Sequence, residues 1–241
     1  MREKIIAKTI ELLAKKGFLV STYLHSNNCF DLAAKKDQQL LLIKIFENID
    51  ATRPEQASEL KRLSSALNAT PIIVGEKTKT AALNDSVVYE RYEIHCISIN
   101  SFKEFLNQHF PKAMYFKGKT LVELDMQKLR HARQVKGITL SELARQLGLA
   151  PKSVHEYEKG TQPPIGIAKK LEKILSTPLI KEIDISKNNF REEVFEKGIH
   201  QPVFEKIAKL GLDLALFEHA PFDAFSHPKE SLLISTADTK R

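Results

Sequence analysis

FDLAAKKDQQLLLIKIF, Phe30 to Phe46, places an aspartate beside one short apolar run and a second, longer run after a polar turn. Cys29–Ala34 and Leu40–Phe46 have the length and composition of strands, and KKDQQ between them has that of a hairpin turn. The pattern extends outward from this unit. Upstream, Phe18–Leu24 is β-rich, and Ile5, Ile6, Thr9, Ile10, Leu12 and Leu13 form a helical stripe that Gly17 ends. Downstream, Arg53–Leu67 has helical spacing with Pro54 in the first turn, and Thr70–Gly75 is an apolar strand of the fully buried kind. Val87–Tyr89 and Ile94–Ile99 are further strands, and Ser101–His109 is a closing helix. Strands alternating with helices predict an α/β domain over residues 1–118.

The chain has 241 residues and a formal net charge of +7, enough length for two or three domains and a bias toward a polyanionic partner. Its two cysteines, Cys29 and Cys96, are far apart and lack metal-ligand spacing, which fits a reducing compartment. The opening MREKIIAKTIELLAKKG is amphipathic and interrupted by charge, unlike a signal peptide, and no apolar run is long enough to span a membrane. A cytoplasmic, soluble protein with no membrane partner is expected.

FKGKT, Phe116–Thr120, reads as a linker, and from Met126 to about Leu175 the pattern changes to short helices without strands. The core of that region is ITLSELARQLGLAPKSVHEYEKG, Ile138–Gly160. Thr139 with Glu142 three residues on forms a capping box. Leu140, Leu143, Ala144 and Leu147 line one face, Gly148 supplies the turn, and Pro151 starts a second helix at its first position. Val154 and Tyr157 point inward one turn apart, and Gly160 closes the unit. Helix, glycine turn, helix is the helix-turn-helix, with Ala144 small enough to let the helices approach. Leu129 and Ala132 before it, and Ile167, Leu171 and Ile174 after it, supply covering helices. Met126–Leu175 holds ten basic and four acidic residues, so +6 of the whole chain's charge lies in about a fifth of its length. A polyphosphate partner follows from that charge on this motif.

Past Pro178 the chain returns to a helix followed by strands. KLGLDLALFEHAPFDAFSHPKESLLIS, Lys209–Ser235, parallels KKGFLVSTYLHSNNCFDLAAKKDQQLLLIK, Lys15–Lys44. Each has a helix end with glycine (Gly17, Gly211), an apolar strand, Phe-Asp (Phe30-Asp31, Phe222-Asp223), a polar turn and a Leu-Leu-Ile strand. A duplication is expected, giving three regions: 1–118, 119–180 and a partial α/β repeat over 181–241. The second copy stops after its core strand, so either the chain is cut short or the half-domain packs on something else.

The Phe30–Phe46 unit resembles the PD-(D/E)XK (restriction-endonuclease-like) nuclease fold, most closely archaeal Holliday-junction resolvases. The resemblance implies an Asp after the first strand, a second acid on the next strand and a Lys two residues later, which together hold a divalent metal that activates water. Asp31 fits the first position. With resolvase-like spacing the second acid falls on Lys44 and the lysine on Phe46; in a shorter register Leu42 takes the acid position and Lys44 the lysine. Both registers lose the second carboxylate, and Lys44 is expected to pair with Asp31 in the vacated site. Glu11 offers only a single remote carboxylate, and the second copy follows Asp223 with Ser235. The domain is therefore expected to be a scaffold with no catalytic residues, no metal and no cofactor, serving dimerisation or a protein partner.

Ile138–Gly160 resembles the phage-repressor and Cro class of DNA-binding domains, the XRE family, over about 50 residues. The resemblance implies double-stranded DNA as the partner, with the second helix as the recognition helix in the major groove. Its outward residues Lys152, Ser153, His155 and Glu156 then face bases. Thr139, Arg145, Lys159 and Gln162 flank them as phosphate contacts. Pro151 stands where many members carry Gln, which removes one base-reading side chain. Across LLLIKIFENIDATRPEQASELKRL, VVYERYEI, the helix-turn-helix, NNFREEVFEKGI and HAPFDA, the chain resembles an archaeal family of HTH-type transcriptional regulators whose members tend to be longer at the C-terminus. A DNA-binding, homodimeric regulator is the expected function. A metal-dependent DNA-processing nuclease with a divergent site, or a non-enzymatic module for RNA, the ribosome or RNA polymerase, are the alternatives.

Overall fold

A computed structural model of the chain describes residues 1–25, 27–187, 202–209, 214–226 and 232–234. The backbone divides into two compact units: Met1–Ala82 with Arg91–Ile99 and Ser186–Arg241, and Leu83–Glu90 with Asn100–Ile185.

The first unit begins with α1 (Arg2–Lys15), followed by β1 (Leu19–Thr22), β2 (Leu32–Lys36) and β3 (Gln39–Ile45). These three strands form an antiparallel meander, with Leu32 opposite both Thr22 and Ile43. The turn KKDQQ narrows to Asp37-Gln38, and Asp37 takes the left-handed conformation at φ 50°. Then α2 (Pro54–Leu67) carries the chain to β4 (Thr70–Gly75), which lies parallel to β3. A parallel neighbour requires such a crossover. Every residue of β4 is buried, as is Leu41–Ile45 of β3, so neither strand alternates. Both faces of these strands are covered, which explains why their sequences are continuous apolar runs.

The chain next forms β5 (Val87–Arg91), β6 (Ile94–Ser98), α3 (Ile99–Leu106), β7 (Ala113–Phe116) and β8 (Lys119–Leu121). β6 joins the first unit parallel to β4, with Ile73 opposite Cys96, so the order there is β1-β2-β3-β4-β6. In the second unit β5 pairs parallel with β7, and β7 pairs antiparallel with β8. FKGKT is thus no linker. Lys117 and Gly118 sit at φ 46° and 80°, the doubly left-handed turn that closes a tight hairpin. Glycine's freedom at φ > 0 makes this geometry accessible, and linker composition alone conceals it.

Four helices complete the second unit: α4 (Met126–Val135), α5 (Leu140–Leu147), α6 (Pro151–Tyr157) and α7 (Ile165–Leu175). The start of α5 is the expected capping box, with Thr139 and Glu142 each accepting from the other's backbone N–H. Gly148 is its left-handed cap, and Pro151 opens α6. Leu129, Leu143, Ala144, Val154, Ala168 and Leu171 are buried in the core between the helices. Tyr157 is only half-buried, whereas the next residue, Glu158, is buried.

Near the C-terminus, α8 (Pro202–Ala208) precedes β9 (Leu214–Leu216), β10 (Ala224–Ser226) and β11 (Leu232–Ile234), an antiparallel sheet of order β11-β10-β9. Phe204, Leu214 and Ala224 form its core, with Ile207, Leu216 and Ile234 against them. NNFREEVFEKGI, Gly211 and Ser235 lie outside the described residues.

Ala144→Leu adds a branched side chain at a fully buried position between α5 and its neighbours. It is expected to destabilise the protein by about 1–3 kcal/mol, read from urea unfolding followed by circular dichroism.

Candidate nucleic-acid interface and the altered nuclease frame

The nuclease frame is built where β2 meets β3. Asp31 lies just before β2; its N–H donates to Ile43 O at 2.8 Å, and its carbonyl accepts from Tyr23 N at 2.7 Å. These bonds aim the carboxylate into the interior, where Asp31 has no exposed surface. Three donors meet it there. Lys44 Nζ lies 3.1 Å from Oδ1, Arg2 Nη2 lies 2.7 Å from the same oxygen, and Ile45 N–H donates to Oδ2 at 2.7 Å. The predicted Asp31–Lys44 pair is present. Arg2 was not foreseen, because nothing in a helix's first residue marks it as the partner of an acid 29 positions away. It also donates from Nε to Ile45 O at 3.0 Å.

Two cations on one carboxylate leave no place for a divalent metal at this position, and the frame does not fit one. Burial pushes the Lys44 ammonium below the usual lysine range, while the Asp31 carboxylate pulls it back up. Lys44 Nζ also donates to Asn28 O at 2.6 Å, which fixes the loop ahead of Asp31. Glu11 cannot assist, because it is exposed and paired with Lys15 on its own helix. Burial pushes the neighbouring Cys29 thiol up to about 12, so it is no nucleophile at neutral pH.

The segment Phe217–His219 closes over this loop. Cys29 N–H donates to His219 O at 2.5 Å. Glu59 on α2 accepts from the N–H groups of Glu218 and His219 at 2.7 and 2.6 Å, and the Arg62 guanidinium lies 5.2 Å from the Phe217 ring. This segment is thereby joined to Cys29, two residues before Asp31, and to α2.

The helix-turn-helix presents a different surface. On α6, Lys152 and His155 are exposed, and Ser153 and Glu156 are half-buried. Lys159 and Gln162 are exposed in the following loop, and Arg145 is exposed in the last turn of α5. Lys159 Nζ lies 3.9 Å from Glu156. Thr139 is exposed too, but its hydroxyl donates to Glu142 and accepts from the Glu142 N–H, so it holds the helix start. What the sequence did not reveal is the brace beneath α6. The buried Glu158 carboxylate accepts from Arg133 Nε at 2.7 Å and Nη2 at 3.2 Å, with Arg130 at 3.7 Å. Arg133 also donates to Ile138 O at 3.1 Å. This fork ties α4, the start of α5 and the end of α6 in one orientation. The signal available in the sequence was the acid of EYEKG, adjacent to the tyrosine at the inward spacing from Val154.

Together these features define a helix-turn-helix protein that carries an altered nuclease-type α/β domain. The family model of the PD-(D/E)XK superfamily domain matches residues 2–111, and that of the helix-turn-helix matches residues 129–181. A protein of Archaeoglobus fulgidus named "Putative HTH-type transcriptional regulatory protein" is 34% identical over 240 residues, covering 98% of this chain and 78% of the relative. Namesakes in Methanocaldococcus jannaschii (35% over 230 residues; 93% and 72%) and Pyrococcus furiosus (34% over 248 residues; 100% and 79%) match similarly. No solved structure matches the chain. The chain belongs to this archaeal family of HTH-type transcriptional regulatory proteins. Among the described residues, no helix is long and apolar enough to cross a membrane.

Asp31→Ala leaves Lys44 buried without its counter-ion, so it is expected to cost about 3–5 kcal/mol of stability. Arg2→Ala, whose side chain is 34% exposed, should cost clearly less. Chemical unfolding of the two variants beside the wild type tests the order.

Proposed function

We propose that the protein regulates transcription by binding duplex DNA with α6 in the major groove. The observation that carries this is the exposed face of α6, with Lys152, Ser153, His155 and Glu156, on a helix held rigid by the Arg133–Glu158 fork in a segment of net charge +6. Lys152 suits guanine O6 and N7, Ser153 serves either kind of base, and Glu156 accepts from cytosine N4. Arg145, Lys159 and Gln162 sit beside them for phosphates, with Thr139 setting the start of α5. The names of the relatives support regulation as the role. The function places the protein in the cytoplasm with the genome.

The nuclease-like domain acts as a non-catalytic scaffold for pairing of two copies or for a protein partner. Two copies place two α6 helices on half-sites about one helical turn apart. A functional division at residues 118 and 180 is supported by the limits of the two family matches. The segment 181–241 is a partial copy of the first domain. In support, Phe217 N–H donates to Asp223 O and Asp223 N–H to Ile234 O, both at 3.0 Å, as Tyr23, Asp31 and Ile43 do in the first domain. An edge-to-face aromatic pair flanks each aspartate: Tyr23–Phe30 at 5.2 Å and Phe217–Phe222 at 5.9 Å.

The superfamily match favours one competing reading, a metal-dependent nuclease. Selection of bound fragments from a genomic pool, with Mg²⁺ present and the DNA inspected for nicks, separates the two. Enriched, intact fragments support the regulator. Nicked DNA supports the nuclease, and no preference among fragments supports an RNA or polymerase module. On an enriched fragment, Lys152→Ala should lower affinity by about 1–3 kcal/mol; unchanged affinity would show that α6 does not read the bases.

A further inference from the structure

The β7–β8 hairpin is the feature that the helix-turn-helix does not account for. Its sequence KAMYFKGKT, Lys112–Thr120, holds three lysines, and the next acid is Glu123. Lys117 and Gly118 form the tip, and Phe116 lies opposite Lys119. Phe116 is 54% exposed, an unusual position for so large an apolar ring, and the Lys117 ammonium sits 5.1 Å from its centroid. Among the described residues no carboxylate pairs with Lys117 or Lys119. Lys112, at the base, faces Glu182 at 3.6 Å.

The hairpin is anchored on both sides. On one side Val87 and Val88 pair with Ala113 and Met114, and Tyr89 packs on Tyr115 with ring centres 5.1 Å apart. On the other, Leu121 bridges Pro164, and Val122 N–H donates to Pro163 O at 3.0 Å. Pro163 directly follows Gln162, so the root of the hairpin is joined to the same loop that carries Lys159 and Gln162. The tip is three residues from Leu121, about 10 Å at the rise of a strand.

We infer that this hairpin is a second DNA-contacting element, touching the sugar-phosphate backbone of the duplex that α6 enters. Lys117 and Lys119 neutralise phosphates, and Phe116 lies against the sugars between them. The contact is indifferent to sequence, because phosphates carry no base information. Its charge complements a polyanion, and its place beside the α6–α7 loop points to the bound duplex as that polyanion. The inference rests on the proposed role of α6.

The test is a salt titration of duplex binding by the full chain, on an enriched fragment and on a random duplex. Replacing Lys117 and Lys119 together by Ala should reduce the slope of log affinity against log salt by about 2. Affinity near 0.1 M salt should fall at least roughly tenfold on both duplexes alike, as for loss of sequence-independent phosphate contacts. Lys117→Arg with Lys119→Arg should keep wild-type affinity, and Phe116→Ala should weaken both duplexes without changing the slope. An unchanged slope and affinity in the double Ala variant, with Lys152→Ala still weakening the enriched fragment, overturns the hairpin contact and leaves α6 standing. Failure of the wild type to bind any duplex overturns the reading on which it rests.

Discussion

A buried carboxylate must find its partners inside the protein, and Asp31 finds three donors from two places in the chain. Arg2 comes from the start of α1, and Lys44 and the Ile45 N–H from the end of β3. Moving an ion from water into an interior costs several kcal/mol unless such partners are in place. The requirement therefore couples α1, the β2 entrance and β3, and through the Asn28 carbonyl it also holds the loop on which Phe217–His219 rests. The ion pairs at Asp31 thus lock α1 onto the β2–β3 pair.

A second buried ion pair does the corresponding work in the helical unit. Glu158 sits at the end of α6 with 4% exposure, and the Arg133 fork fixes it against α4 and Ile138. A helix only seven residues long has little packing surface of its own. A bidentate pair supplies direction as well as energy. The positive surface around it then faces solvent on a helix whose angle is set from beneath.

Local chemistry made much of this legible in the sequence. The capping box at Thr139 and Glu142, the proline opening α6, the buried core of Leu143, Ala144 and Leu147, and the unbroken apolar strand Thr70–Gly75 all follow from short-range rules. The loss of the second carboxylate was visible in either register as a residue type at a spacing, and with it the pairing of Lys44 to Asp31. The hairpin at Lys117-Gly118 was missed, because two lysines around a glycine look like a linker until β5 offers a neighbour to pair with.

The sequence by itself determined the two folds and the chemistry each surface offers, since strand runs, helix caps and net charge depend on neighbours within a few residues. Only the tertiary structure decided how that chemistry is used. Arg2 reaches Asp31, Arg133 reaches Glu158 and Glu59 caps the Glu218–His219 backbone across separations of 29, 25 and up to 160 residues. At such distances along the chain, no pattern of spacing records which charge is brought to which. The packing of apolar faces brings them together, and the cost of leaving any of them buried alone keeps them there.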